Sequence, residues 1–299
     1  MPAIFHQPVN RRSFLKFSAL GAAVVASGCH GPGLGTARSG AGRFRVALIS
    51  DTHVPGDRVN GYRGFNPWEN LQRIVPQIEA ARPEAVVHCG DAARLEGKPA
   101  DYVEVKSLLA PLAARVPVYI AMGNHDDRAN FLAAIPPPSG AEPIVKDRHI
   151  VVVEHPVVRL VVLDSLLTTN KTPGFLGLAQ REWLQKFLSI RRDRPVVVFV
   201  HHTLGPADGE LLDAERFFAV LKPHRHVKAV FYGHSHVWER KDRGHLRLVN
   251  LPAVGYNFDD KQPVGWVGAE FHPRGVDLTL HAFGGNRGED GRGFQVAWS

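Results

Sequence analysis

The sequence predicts an α/β protein: two mixed sheets stacked face to face with helices on both outer sides, a four-layer α-β-β-α sandwich. Three observations predict it. From Arg43 onward, short β-branched runs alternate with helical patterns, as strands joined by crossover helices do. After residue 245 no helical pattern separates the strands, so a second, mostly antiparallel sheet is expected toward the C-terminal end. Finally, 44% of the 299 residues are hydrophobic and 22% charged, which allows a sizeable core and excludes a disordered chain.

Taken in order, the chain opens with an address. Residues 10–17 read Asn-Arg-Arg-Ser-Phe-Leu-Lys-Phe, and an apolar stretch of Ala, Gly and Val runs on to Gly28. That stretch is too short to cross ~30 Å of hydrocarbon comfortably. The order of features is that of a twin-arginine export signal over residues 1–28, which makes the export machinery an expected partner. Ala26-Ser27-Gly28-Cys29 is laid out like a lipobox, so Cys29 is the expected lipid anchor, with simple cleavage nearby as the alternative. The expected location is outside the cytoplasmic membrane, periplasmic or membrane-anchored. Residues 29–43, rich in Gly, read as a flexible linker, and 44–299 as the folded domain.

Within that domain, Trp68, Leu71, Ile74, Val75 and Ile78 form a helical stripe interrupted by Pro76, where a kink is expected. Asp126 and Asp127 precede a helix expected over Arg128 to Ile135 and read as its caps, the other role for Asp126 being to orient His125. Trp183, Leu184, Phe187 and Leu188 recur at helical spacing, the pattern that seals a helix onto a sheet. Val276, Leu278 and Leu280 alternate with Asp277, Thr279 and His281, a strand with one wet face.

The residues that can carry chemistry stand directly after the apolar runs. With only Cys29 and Cys89, a Cys-rich zinc site is excluded, whereas 16 histidines supply imidazole in quantity. Val46 to Ser50 leads into Asp51-Thr52-His53, Ala85 to Cys89 into Gly90-Asp91, and Val118 to Met122 into Gly123-Asn124-His125-Asp126. Later, Val196 to Val200 leads into His201-His202, and Ala229 to Tyr232 into Gly233-His234-Ser235-His236. If these strands are largely parallel, all five segments emerge at one sheet edge, where α/β folds bind ligands. Asp51 with His53, and His234 with His236, sit two apart, so in extended backbone each pair would face one way. The candidate ligands are Asp51, His53, Asp91, Asn124, His201, His234 and His236, a nitrogen and oxygen set suited to Mn, Fe or Zn. Seven ligands exceed the needs of one catalytic ion and suit two, roughly 4 Å apart and bridged by a carboxylate.

These blocks resemble the signature of the calcineurin-like metallophosphoesterase superfamily, Asp-x-His, Gly-Asp, Gly-Asn-His-Asp/Glu, His and Gly-His-x-His, over about Arg43 to His236. The resemblance implies that Asp51, His53 and His236 hold one ion, that Asn124, His201 and His234 hold the other, and that Asp91 bridges. It makes His125 the catalytic imidazole. Arg82-Pro83-Glu84-Ala85-Val86-Val87 and Gln180-x-x-Trp183-Leu184 are similar to the bacterial cyclic-nucleotide phosphodiesterase branch. Gly233 to Arg240 is similar to the purple acid phosphatase block, but Arg94 stands where that branch has its iron-binding tyrosine.

The implied activity is hydrolysis of a small phosphate ester, diester or monoester, by in-line attack of a hydroxide bridging the two ions. Asp91, Asn124 and His125 would carry the catalysis. Arg94, Tyr62, His202 and Trp238 are candidate substrate contacts, a place behind the ligands being the alternative for His202, and the long loop from Val54 to Asn66 is expected to shape substrate choice. Cys89 reads as a buried small hydrophobe. Two rivals remain: a catalytically idle binding scaffold, which would lack ligands that are all present here, and a nuclease drawn to DNA by positive charge. Of the formal +7, three charges sit at Arg11, Arg12 and Lys16 with no acid before residue 29, leaving a mild +4 and no basic run for nucleic acid.

Overall fold

The computed structural model describes residues 42–137 and 141–299. The export signal over residues 1–28, the lipobox cysteine Cys29 and nearly all of the linker lie outside the described residues. No described helix is long and apolar enough to cross a membrane.

Two six-stranded mixed sheets pack face to face. In the first, β1 (Phe44–Ile49), β2 (Ala85–His88) and β3 (Val118–Ile120) run parallel. In the second, β5 (Arg159–Val162), β6 (Val196–Phe199), β7 (Val227–Tyr232) and β9 (Leu246–Asn250) are parallel, edged by antiparallel β4 (Val151–Glu154) and β8 (Glu239–Arg243). The late strands depart from the expectation of a separate antiparallel sheet. β10 (Pro263–His272), β11 (Gly275–Gly285) and β12 (Gly293–Ala297) return to pair with β1, in the order β12-β11-β10-β1-β2-β3. The antiparallel character is right and the sheet is the first one, because β1 has a free edge that β10 fills from Phe44↔Phe271 to Leu48↔Val267.

Period-two patterning sorts side chains between layers. Val46 and Leu48 face the second sheet, whose Val197, Phe199 and Phe231 meet them in the central core, whereas Ala47 and Ile49 face helices. Three helices cover the first sheet: α1 (Pro67–Ala81), α2 (Pro99–Ala113) and α3 (Arg128–Ala134). α4 (Leu178–Ile190) and α5 (Ala214–Leu221) cover the second, burying Leu184, Leu188, Phe217 and Leu221. α1 starts where Asn66 Oδ1 accepts from the Trp68 and Glu69 amides and Pro67 takes the first turn, where its missing N–H costs nothing. It continues through Pro76 as one helix. At the open edge of the second sheet, β8 presents Glu239-Arg240-Lys241-Asp242-Arg243, all exposed, a charged strand that discourages further pairing.

Candidate metal centre

The five strand-end segments do meet, but at two sheet edges rather than one. β1, β2 and β3 deliver Asp51, His53, Asp91, Asn124 and His125 from the first sheet; β6 and β7 deliver His201, His234 and His236 from the second. The seam between the sheets' C-terminal ends is where they converge. Donor atoms of Asp51, His53 and His236, of His53, Asp91 and His125, and of Asp91, His201 and His234 form three groups, each within 4.8 Å.

The backbone that turns them inward is not extended. Asp51, His53, Asp91, His234 and His236 have φ of 52°, 47°, 54°, 70° and 55°, the left-handed region that non-glycine residues avoid at a cost of about 1–3 kcal/mol each. The two-residue spacing therefore converges through tight turns, which curl the chain so that side chains two apart reach one point. Gly123 allows the closest approach: a Cβ there would lie 2.1 Å from Asp91 Oδ1.

The imidazoles are aimed by hydrogen bonds at their far nitrogens. His53 Nδ1 donates to the Arg94 carbonyl (3.3 Å), His201 Nδ1 to that of Cys89 (2.9 Å), His236 Nδ1 to that of Tyr256 (2.6 Å), and His234 Nε2 to that of Gly209 (3.0 Å). A carbonyl only accepts, so in the neutral ring the inward nitrogen is left with a bare lone pair. His53 Nε2 then faces His236 Nε2 at 3.1 Å, and His234 Nδ1 faces Asn124 Oδ1 at 2.9 Å. His201 Nε2 is buried without a hydrogen-bond partner among the described residues, 3.3 Å from Asp91 Oδ2. Converging imidazole nitrogens and carboxylate oxygens fit a set of cation ligands.

The charges agree. Burial would raise the Asp51 and Asp91 carboxyls, but the neighbouring histidines, His201 first, hold both well below the usual carboxylate range. Burial pulls His53 down to about 3 and His234 to about 4, leaving both rings neutral. His201 is opposed by burial and held up to about 9 by Asp91 and Asp51, so binding a cation there displaces a proton.

Asp91 Oδ2 lies 3.8 Å from His53 Nε2 and 3.3 Å from His201 Nε2, between the two groups of ligands. Its other oxygen accepts from the His125 amide at 2.8 Å. His125 is anchored by Nδ1 on the Leu95 carbonyl (2.9 Å) and remains partly exposed beside His53. Arg94 spreads over Tyr62 and Tyr256, 5.1 and 5.5 Å from the ring centres, at the rim. Of the remaining candidate contacts, His202 takes its alternative place behind the ligands, and Trp238 departs from the expectation of substrate contact. His202 is fully buried behind His201 and His234, bonded to Ser165 Oγ at 2.7 Å. Trp238 packs in the sandwich core against Phe294 and donates Nε1–H to Glu289. Its position after the Gly-His-Ser-His block carries it to the start of β8, past the site.

Asp126 is also recast. Asp127 alone caps α3, accepting from the Asn130 amide at 2.9 Å. The Asp126 carboxylate, buried, accepts from the amides of Ala92, Ala93 and Gly123 and from Tyr102 Oη, tying the Asp91 loop to the Asn124 loop. Cys89 is a buried core residue. Sequence reasoning missed Tyr256 and Phe258, whose rings stack on His53 (4.8 Å) and His236 (4.4 Å). The signal was available: they come after β9, another parallel strand ending at the same edge.

An α-β-β-α sandwich with such a cluster at its sheet seam defines a metal-dependent phosphoester hydrolase. The chain belongs to the calcineurin-like phosphoesterase family, whose description matches residues 44–238. It is 28% identical over 233 residues to the glycerophosphodiester phosphodiesterase GpdQ of Enterobacter lignolyticus, spanning 73% of this chain and 81% of that one. To the 3',5'-cyclic adenosine monophosphate phosphodiesterase CpdA of Pseudomonas aeruginosa it is 26% identical, spanning 71% and 77%. In fold it is similar to a dimetal phosphatase from Danio rerio, with a TM-score of 0.68, 19% identity, and 86% and 99% of the two chains covered.

Proposed function

We propose that the protein hydrolyses phosphodiesters using two transition-metal ions, Mn, Fe or Zn, one held by Asp51, His53 and His236, the other by Asn124, His201 and His234, with Asp91 shared. The observation that carries this reading is the convergence of buried donor atoms, His53 Nε2 on His236 Nε2 and His234 Nδ1 on Asn124 Oδ1, with each ring's far nitrogen spent on a backbone carbonyl. Such ions supply Lewis-acid charge to phosphoryl oxygens and lower the pKa of water toward neutrality.

The chain's own residues do the rest. With Asn124 Oδ1 turned toward His234, its amide N–H₂ is left to donate to a phosphoryl oxygen. His125, fixed at Nδ1, keeps Nε2 for the leaving-group oxygen and acts there as a general acid. Arg94 makes no ion pair among the described residues and offers its N–H groups to the anionic ester from its seat on Tyr62 and Tyr256. Two phosphodiesterase relatives support a diester over a monoester.

The test compares bis-(p-nitrophenyl) phosphate with p-nitrophenyl phosphate on protein loaded with Mn, Fe or Zn. Faster turnover of the diester is expected; no turnover of either with any metal overturns the reading. Arg94→Ala should raise KM more than it lowers kcat. The export reading of residues 1–28 is tested by cell fractionation, where Arg11→Lys/Arg12→Lys protein should stay in the cytoplasm.

A further inference from the structure

We propose that the end of the molecule opposite the metal centre is a docking face for an anionic lipid membrane. The N-terminal ends of β6 and β7 lie at that end, since the ligands come after their C-terminal ends. The segments feeding those strands read Arg191-Arg192-Asp193-Arg194 and Lys222-Pro223-His224-Arg225-His226, and they are bound side by side by the Val196 amide on the His226 carbonyl (2.8 Å).

Their charge is one-sided. Asp193, the single acid in the two segments, is already engaged by Arg159 and Arg194. Arg192, Lys222 and Arg225 are exposed, and none makes an ion pair among the described residues. Three cations held on short loops at the strand starts, none of them in an ion pair among the described residues, form a surface that attracts anions.

The route of the chain selects a membrane over other polyanions. Phe44, the first residue of β1, stacks on His155 at 4.0 Å, and the His155 carbonyl accepts from Arg194 at 2.9 Å. The 41 residues that precede Gly42 therefore join the body at this same end, and Cys29, the expected lipid anchor, is among them. A body joined there sits with its basic loops against the lipid headgroups and its metal centre turned away. The proposal does not depend on the catalytic reading, since it uses no residue of the metal centre.

The test is sedimentation of the full chain carrying Cys29→Ser, which removes the acylation point, with phosphatidylcholine vesicles with and without phosphatidylglycerol. At about 0.1 M salt, binding should require phosphatidylglycerol, and at about 0.5 M salt it should be lost. The variant Arg192→Glu/Lys222→Glu/Arg225→Glu should bind at least about a hundredfold more weakly, given a gain of roughly fivefold per basic residue at an anionic surface. Its unfolding midpoint should match the parent's; if it does not, Arg192→Gln/Lys222→Gln/Arg225→Gln is read instead. Equal binding by parent and variant assigns adhesion to the N-terminal segment and overturns the proposal. So does retention of double-stranded DNA by a chain that ignores the vesicles.

Discussion

His53 Nε2 and His236 Nε2 face each other at 3.1 Å across 183 positions of sequence, each ring giving its other nitrogen to a backbone carbonyl. Two lone pairs at that distance repel unless a proton or a metal ion lies between them. Adding Mn or Zn at a hundred times its Kd should therefore stabilise the fold by about 2.7 kcal/mol, and a chelator should reverse the gain. Differential scanning calorimetry of wild type and His236→Ala reads both. An identical midpoint with and without metal would sink the assignment.

His125 touches the cluster from a partly exposed position and is tied to the Asp91 loop through the Leu95 carbonyl. General acid catalysis contributes about 10²–10⁴-fold, so His125→Ala should lose that much kcat with its metals in place. Elemental analysis beside the rate assay separates this from a failure of metal binding.

Asp126 holds three amides of two ligand loops with one buried carboxylate, which burial and Asp91 push up to about 6. Asp126→Ala strands those donors away from water. A loss of about 2–5 kcal/mol is expected in urea unfolding, with weaker metal retention because the loops come apart.

Gly123→Ala sets a methyl group on Asp91, whose Oδ1 would be 2.1 Å away. The Asp91 amide nitrogen at 2.5 Å and His201 Nε2 at 2.7 Å are crowded as well, so the ligand loops must part and the variant should be less stable and bind metal more weakly. Isothermal titration against wild type measures this, and unchanged affinity would show that Asp91 does not ligate in its present pose.

Acid stability tests the opposite end of the molecule. Desolvation works to raise the Asp193 carboxyl, but bonds from Arg194 and Arg159 prevail and hold it at about 2, below its ordinary 3.8. Because the folded value is depressed, this pairing stabilises above pH 3.8 and is lost as pH falls through 2. The stability difference between wild type and Asp193→Asn should shrink across that window. A constant difference would show that Asp193 does not titrate with folding.

Much of this protein is written locally. The β-branched runs, the stripes on α1 and α4, the Asp127 cap and the chemistry of each strand-end motif arise from backbone periodicity and side-chain type, properties that neighbours in sequence settle. The ligand inventory was legible for the same reason: Asp, His and Asn placed after parallel strands must emerge at carboxyl ends.

Other outcomes depended on which surfaces met. β10 to β12 joined the first sheet because β1 offered a free edge, and nothing in their own alternation names that partner. His202 and Trp238 stand one residue and two residues from ligands, yet the turns bury one behind the cluster and send the other into the core. Asp126 bonds across to Ala92 and Ala93 instead of along its own helix, and Tyr256 reaches His53 only because the sheets pack. The sequence by itself determined the kinds of element and the ligand atoms available; tertiary structure alone decided their partners, since distances between residues far apart in the chain are set by packing.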